Sequence, residues 1–394
     1  MPILDGVRVL DLGTGLAAPY AAMMLADLGA DVTKIEKPKR GDLIRFTDNY
    51  IHGKSGYFLG INRGKKSVTL DLRTPQGREI LLRMCKDTDI LIENFTAGVL
   101  DRWGLSYEEV KEVNPALVYC SVSAFGSTPG FATRSGNDIT AQAYSGLMAL
   151  TGDENGAPAK AGAPVVDVSA ACMATIATLA AFLQRERTGR GAHVKTSLID
   201  AAFALMPNFS ASVLNGSPGF RRLGSGHPQL APYRAYGTGD GKFVVLGVFH
   251  QESWERLCEA IDGPELINDE RFKNNTVRVK NRRELDRAVG SRLKLQSLAH
   301  WEKVLDECDV PFSPVLEVEE GIELFAGLQK NLVVDGVPSN AGPIRMLRAP
   351  FEIDGERPTH PQGAPALGEH TDAAMTKLGF STAEIAQMRT AGVV

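Results

Sequence analysis

The stretch VLDLGTGLAAPYAAMMLADLGADVTKIEK, Val9 to Lys37, contains a buried-strand run, a glycine turn, an alanine-rich helix and a second strand. Gly13, Gly15 and Ala18 fit the G-x-G-x-x-A form of a dinucleotide fingerprint, with Glu36 near the place of its ribose-binding acid. Asp11–Gly15 also matches the first half of an S-adenosylmethionine loop. Pro19 counts against the dinucleotide reading. Proline suits a first helical turn, so the helix starts near Ala18 and the turn is longer than one that cradles a pyrophosphate. Ala17 stands where the methyl-donor loop needs its third glycine. A third reading is purely steric: a strand-to-helix turn that needs glycine to fit.

Working outward, strands and helices alternate. SVTLDL (Ser67–Leu72), a helix from Pro75 to about Lys86 capped by Thr74, DILIEN (Asp89–Asn94), a short helix near Tyr107–Val113 and LVYCSVSAF (Leu117–Phe125) follow in turn. This alternation predicts an α/β fold with a parallel, doubly wound sheet, whose ligands bind at the carboxyl ends of the strands. Gly13, Asn94 and Phe125–Gly126 fall at such ends. Two small-residue helices are expected near Ile139–Leu150 and Val168–Arg187. A Gly/Pro-rich linker, Asn215–Tyr236, leads to a smaller α+β unit, and a Pro/Gly segment, His360–Thr371, precedes the last helix.

The chain has 394 residues, 43 Lys+Arg against 47 Asp+Glu, and a net charge of -4, which announces no nucleic-acid partner. Five scattered cysteines without C-x-x-C spacing suit a reduced compartment, and the expected location is cytoplasmic. No signal peptide or membrane span is read. Lys37, Lys39, Arg40, Arg45, Arg63, Lys65, Lys66 and Arg73 crowd one set of strand-end loops. They are either exposed surface residues or ligands for a molecule with several phosphates.

Asp167 stands alone in GAPVVDVSAACMATIATLAAFL. A carboxylate in apolar sequence needs a reason, because burying a bare charge is costly. It either caps the helix that follows, or, held ionised by free N–H groups at a helix start, serves as a nucleophile toward an activated acyl carbon. Asp138 opens the preceding helix in the same manner. No G-x-S-x-G elbow, H-E-x-x-H or phosphate-binding loop is present, and no metal set is read.

Taken together, LDGVRVLDLGTGLAAPYAAMMLADLGADVTKIEKPKRGD (Leu4–Asp42), NRGKKSVTLDLRTPQGRE (Asn62–Glu79), IENFTAGVLDRWGL (Ile92–Leu105), DITAQAYSGLMALTG (Asp138–Gly152), LQRERTGRG (Leu183–Gly191) and APALGEHT resemble the family III CoA-transferases. That group includes the formyl-CoA and carnitine CoA-transferases and the 2-methylacyl-CoA racemases. The resemblance implies a Rossmann-like large domain over residues 1–205, a linker with a substrate loop at 206–236, a small α+β domain at 237–325, and a return to the large domain over 326–394. It also implies an interlocked-ring homodimer. Asp167 falls on the catalytic aspartate and Asp138 on an acidic supporting position. Leu16, Ala17, Lys37, Leu70, Arg73, Asn94, Phe95, Thr96, Arg102 and Trp103 fall on positions that hold coenzyme A, which is part of the substrate. No permanently bound cofactor and no metal is implied.

Three departures bear on chemistry. The glycine lid of formyl-CoA transferases is replaced by LGSGHPQ (Leu223–Gln229), a CoA-contacting lysine is Ser135, and the racemase base is Asn137, which cannot serve as a base. Transfer of CoA from a small dicarboxylic acyl-CoA to a carboxylate is therefore the leading expectation. The alternatives are a CoA-ester epimerase and a non-catalytic nucleotide-binding protein. Arg134, Arg221, Arg222 and Tyr233 are candidates for holding a distal carboxylate.

Overall fold

The computed structural model describes residues 2–47, 50–217, 219–329, 331–337 and 341–394. They form two units: Met1–Ser145 with Gly162–Ser210 and Gln329–Val394, and Gly146–Ala161 with Ala211–Leu328.

The first unit is built on six parallel strands: β1 (Arg8–Asp11), β2 (Asp31–Glu36), β3 (Lys65–Thr69), β4 (Ile90–Glu93), β5 (Val118–Ser123) and β6 (His193–Ser197). Their spatial order, β3-β2-β1-β4-β5-β6, is that of a doubly wound nucleotide-binding sheet. All four residues of β4 are buried, as expected for a strand covered on both faces. Helices α1 (Ala17–Asp27) and α2 (Pro75–Cys85) connect the first strands. Leu10, Val68, Leu70 and Leu91 pack with Ile80 and Leu81 of α2 and with Met375 and Ile385 from the C-terminal helices. Each such aliphatic side chain contributes roughly 1.5–3 kcal/mol by leaving water. The C-terminal segment is stitched to β3: the Thr69 amide donates to Thr371 Oγ1 at 2.9 Å, and the Asp71 amide to the Val393 carbonyl at 2.8 Å.

Two helix boundaries differ from the sequence reading. The first small-residue helix breaks at Gly146, whose φ is +86°, leaving α3 as Asp138–Ser145. The second, α4, runs from Val165 to Thr188 and starts three residues earlier than expected, because Pro164 forms its N-cap.

In the second unit Tyr233–Gly237, Phe243–Gly247 and Phe312–Pro314 make an antiparallel sheet, with Phe243–Gly247 central. Trp254, Phe272, Leu285 and Trp301 form its core. Gly146–Ala161, expected in the large domain, clusters here: Arg222 donates to the Ala149 and Gly156 carbonyls, and the Gly224 amide to the Gly152 carbonyl.

Candidate active site

The β1–α1 turn is held from beneath by buried charge. Lys34, fully buried on β2, donates to the Gly13 carbonyl at 2.6 Å and pairs with Asp42 at 3.1 Å. Lys65 on β3 pairs with Asp11 at 2.8 Å and donates to the Pro19 carbonyl at 2.7 Å. Burial pushes the Lys65 ammonium down to about 8, with nearby Lys34 adding to the effect and Asp11 opposing it. Asp42 Oδ1 accepts the Gly15 amide. Glycine is required at position 13, where a Cβ would lie 2.6 Å from the Ala18 Cβ. The steric reading of the turn is thus correct.

Glu36 is 3% exposed and takes a two-pronged contact from Arg45 at 2.8 and 2.7 Å, plus the Ser67 hydroxyl at 2.6 Å. A carboxylate so occupied does not serve as a ribose acid, and the dinucleotide reading falls. Of the eight crowded cations, Arg45, Arg63, Lys65, Lys66 and Arg73 neutralise Glu36, Asp27, Asp11, Asp31 and Asp71 respectively. They brace the fold.

Above the turn is a cavity of about 280 Å³, lined by Gly13, Lys37, Arg40, Leu70, Arg73, Phe95 and Trp103 among others. Phe95 and Trp103 meet edge to face at 5.6 Å. Asn94 instead uses its amide on the turn, accepting the Thr14 amide at 2.9 Å and donating to the Thr14 carbonyl at 2.8 Å. Leu16 and Ala17 are buried at the start of α1, Thr96 lines a neighbouring cavity, and Arg102 ends a short helix, Val99–Arg102. Five of the ten expected contact residues therefore converge on one cavity, and Asn94 positions its rim.

Asp167 is the third residue of α4, so it is not the cap. Asp138 caps the helix from outside. Its Oδ1 accepts the Val166 amide at 2.9 Å and the Asp167 amide at 3.1 Å, and its other oxygen accepts from the buried Gln142 amide. The free N–H groups expected to hold Asp167 ionised are thereby spent on Asp138. Burial pushes the Asp167 carboxyl up to about 6, and the charge of Asp138 adds to this. Ala170, Ala171 and Ala174 are buried along the same helix. Asn137 caps α3, exchanging hydrogen bonds with Thr140.

Tyr57 was not read from sequence. It lies on the helix Gly56–Ile61, and burial pushes its phenol up to about 12, with the charges of Asp167, Asp138 and Asp42 adding to the effect. It therefore shares the acidic neighbourhood, and no spacing or motif signals this. In the second unit Arg221 pairs with Glu154, and Arg222 is committed to backbone carbonyls. Arg134, in the first unit, lies over the Phe131 ring at 4.4 Å.

A family model described as CoA-transferase family III matches residues 4–371. This chain belongs to the family III CoA-transferases. It is 32% identical to the human succinyl-CoA:glutarate CoA-transferase, over 99% of this chain and 90% of that one. It is 36% identical to the acetyl-CoA:oxalate CoA-transferase of Acetobacter aceti, over 95% of each. The crystal structure of a CAIB/BAIF family protein from Brucella suis superposes with a TM-score of 0.83 at 33% identity, covering 95% of this chain and 99% of that one. The protein is a CoA-transferase, with coenzyme A as part of its substrate.

Proposed function

We propose that this CoA-transferase moves CoA from a small acyl-CoA, succinyl-CoA foremost, to a small dicarboxylate, with Asp167 as nucleophile. The carboxylate attacks the thioester carbonyl, the C–S bond breaks, and a mixed anhydride and CoA thiolate result. The thiolate then attacks the Asp167 acyl carbon, which releases the donor acid and leaves an aspartyl-CoA thioester. The acceptor carboxylate attacks that thioester to form a second anhydride. The thiolate returns to the acceptor's carbonyl, giving the new thioester and freeing Asp167. Atoms and charge balance with no water or redox partner.

The observation that carries this reading is a partly buried, singly disposed carboxylate at an alanine-lined helix start, with an outside acid already satisfying the backbone. Exclusion of water raises the energy of the carboxylate and thus its reactivity. The cavity at Lys37, Arg73 and Trp103 offers the cations Lys37 and Arg40 and an aromatic wall suited to the nucleotide of CoA, with Arg73 held by Asp71. The two named relatives act on glutarate and on oxalate, both dicarboxylic acids, which favours an acceptor of that class. The epimerase alternative is disfavoured because Asn137 is spent on capping and carries no basic group.

Incubation with succinyl-CoA and glutarate should yield glutaryl-CoA, and hydroxylamine should trap an acyl group on Asp167, read by mass spectrometry. Asp167→Ala should lower kcat by at least 10³-fold, since the nucleophile is lost. Transfer undiminished in that variant ends the proposal. An interlocked homodimer and a cytoplasmic location belong to the same reading. The dimer is supported by the family resemblance, and the location by five cysteines that are all free.

A further inference from the structure

The transfer chemistry leaves a second constellation on the large sheet unused. Strand register sets Glu93 opposite Ser121 and Ser121 opposite Lys195, with Tyr119 opposite His193 in the neighbouring row. Alternate residues of a strand share a face, so all five project to one side. Glu93 is buried, and its Oε2 accepts the Phe95 amide at 2.8 Å. Its carboxyl also contacts the Ser121 hydroxyl, and Ser121 Oγ lies 3.0 Å from His193 Nε2. His193 is stacked on Tyr107 at 4.8 Å and meets the edge of Tyr119 at 5.2 Å. The group lines a cavity of about 370 Å³. Phe95 borders this cavity and the candidate CoA cavity alike.

Among the described residues no ion pair neutralises Glu93. Burial pushes its carboxyl up to about 7, with Asp101 adding and the Ser121 hydroxyl and Phe95 amide opposing. Burial, with Lys195, pushes His193 down to about 4, against Glu108 and Asp101. Cys85, Glu109, Cys120 and Tyr119 are further titratable neighbours, and Asp200 lines the same cavity. His193 is therefore neutral near pH 7, and Glu93 is the member that titrates there. With its proton, Glu93 donates to Ser121, which donates to His193 Nε2. Without it, Glu93 accepts from Ser121, and His193 presents Nε2–H to Ser121. Only the ionised carboxylate gives the Phe95 amide a charge-assisted bond, about twice as strong as a neutral one.

We propose that Glu93 is a positioning residue for CoA esters: its ionised form pulls the Phe95 backbone and thereby sets the Phe95–Trp103 wall, while its protonated form relaxes that wall. CoA affinity then rises with pH as Glu93 loses its proton. This rests on the reading that the Lys37–Arg73–Trp103 cavity takes CoA.

The test is calorimetric titration with CoA from pH 5.5 to 8.5, together with steady-state kinetics. Relative to wild type, Glu93→Gln keeps an acceptor for the Phe95 amide but never ionises. It should bind CoA about 3–10-fold more weakly at pH 8 and equally at pH 5.5, with the change in KM and the acid limb of kcat in place. Ser121→Ala removes a hydroxyl that favours the ionised form, so the midpoint of the affinity–pH curve should move upward. Trp103→Ala should weaken CoA at every pH. If Trp103→Ala leaves CoA affinity intact, the CoA reading fails. If it weakens CoA while Glu93→Gln keeps the wild-type pH profile, or Ser121→Ala leaves the midpoint in place, only the role of Glu93 falls.

Discussion

Asp167 and Asp138 divide labour although both are carboxylates at helix starts. Asp138 receives two backbone amides and the Gln142 side chain, so its charge is well solvated by the protein. Asp167 has lost those donors to it and is raised to about 6 by burial and by its neighbour's charge. A carboxyl raised in the folded state favours the fold below its unfolded value of 3.8, and that advantage is lost as pH rises through about 6. Ionised Asp167 is therefore a strain the fold bears for reactivity, and Asp167→Asn should raise Tm at pH 8. The same shift sets the rate. Activity should fall as pH drops through about 6, because the proposed nucleophile takes a proton. Asp138→Asn keeps an oxygen for the Val166 and Asp167 amides but removes the charge. It should move the acid limb of kcat/KM downward by roughly one unit, measured in pH–rate profiles. An unmoved limb would mean that the two carboxylates do not sense each other.

At the level of elements, the glycine turn depends on a cation inside a strand. Lys34 bridges the Gly13 carbonyl, Asp42 and Asp11, with Asp11 3.6 Å away. Removing it leaves Asp42 in the interior without its cation, while Asp11 keeps Lys65, and breaking a buried pair costs about 3–5 kcal/mol. Lys34→Met should lose that much in urea unfolding, and Lys34→Met with Asp42→Asn should recover part of it. A single variant as stable as wild type, or a double variant no better than the single, would contradict this role. The network also marks the limit of sequence reading. The strand–helix alternation was legible because buried runs such as ILIE and glycine stops leave local patterns. Asp167 was legible because a charge among alanines is anomalous. Lys34 went unremarked, and Arg45, Arg63 and Lys65 read as surface or phosphate-binding cations, because their partners lie elsewhere in the chain, 54 residues away for Lys65 and 36 for Arg63. The cap supplied by Asp138, 29 residues before Asp167, escaped for the same reason. Tyr57 escaped because only folding brings it beside the acids.

For the whole molecule, α4 poses the remaining question. It is long and apolar enough to cross a membrane by length and composition, with an 18-residue window of mean hydropathy 1.8 of which 39% is buried. One side packs along α1 and behind β5 and β6, and Arg185 near its end pairs with Asp89 at 2.8 Å. A helix so committed to its own sheet, with its first turn capped by Asp138 beside Asp167, is poorly placed to enter lipid. Yet Met173, Ile176 and Leu183 are 40, 62 and 54% exposed. Such a stripe calls for an apolar cover, and a second copy of this chain is the cover proposed above. The proposed interlocking adds a kinetic expectation, since linked rings separate only by unfolding. Sedimentation velocity should give a dimer whose size does not change on dilution from micromolar to nanomolar, without binding to lipid vesicles. Ile176→Glu places a charge in that proposed interface and should lower the Tm of the dimer, which stays linked. A wild-type monomer, co-sedimentation with vesicles, or a dimer indifferent to Ile176→Glu would each show that the stripe serves something other than a second copy.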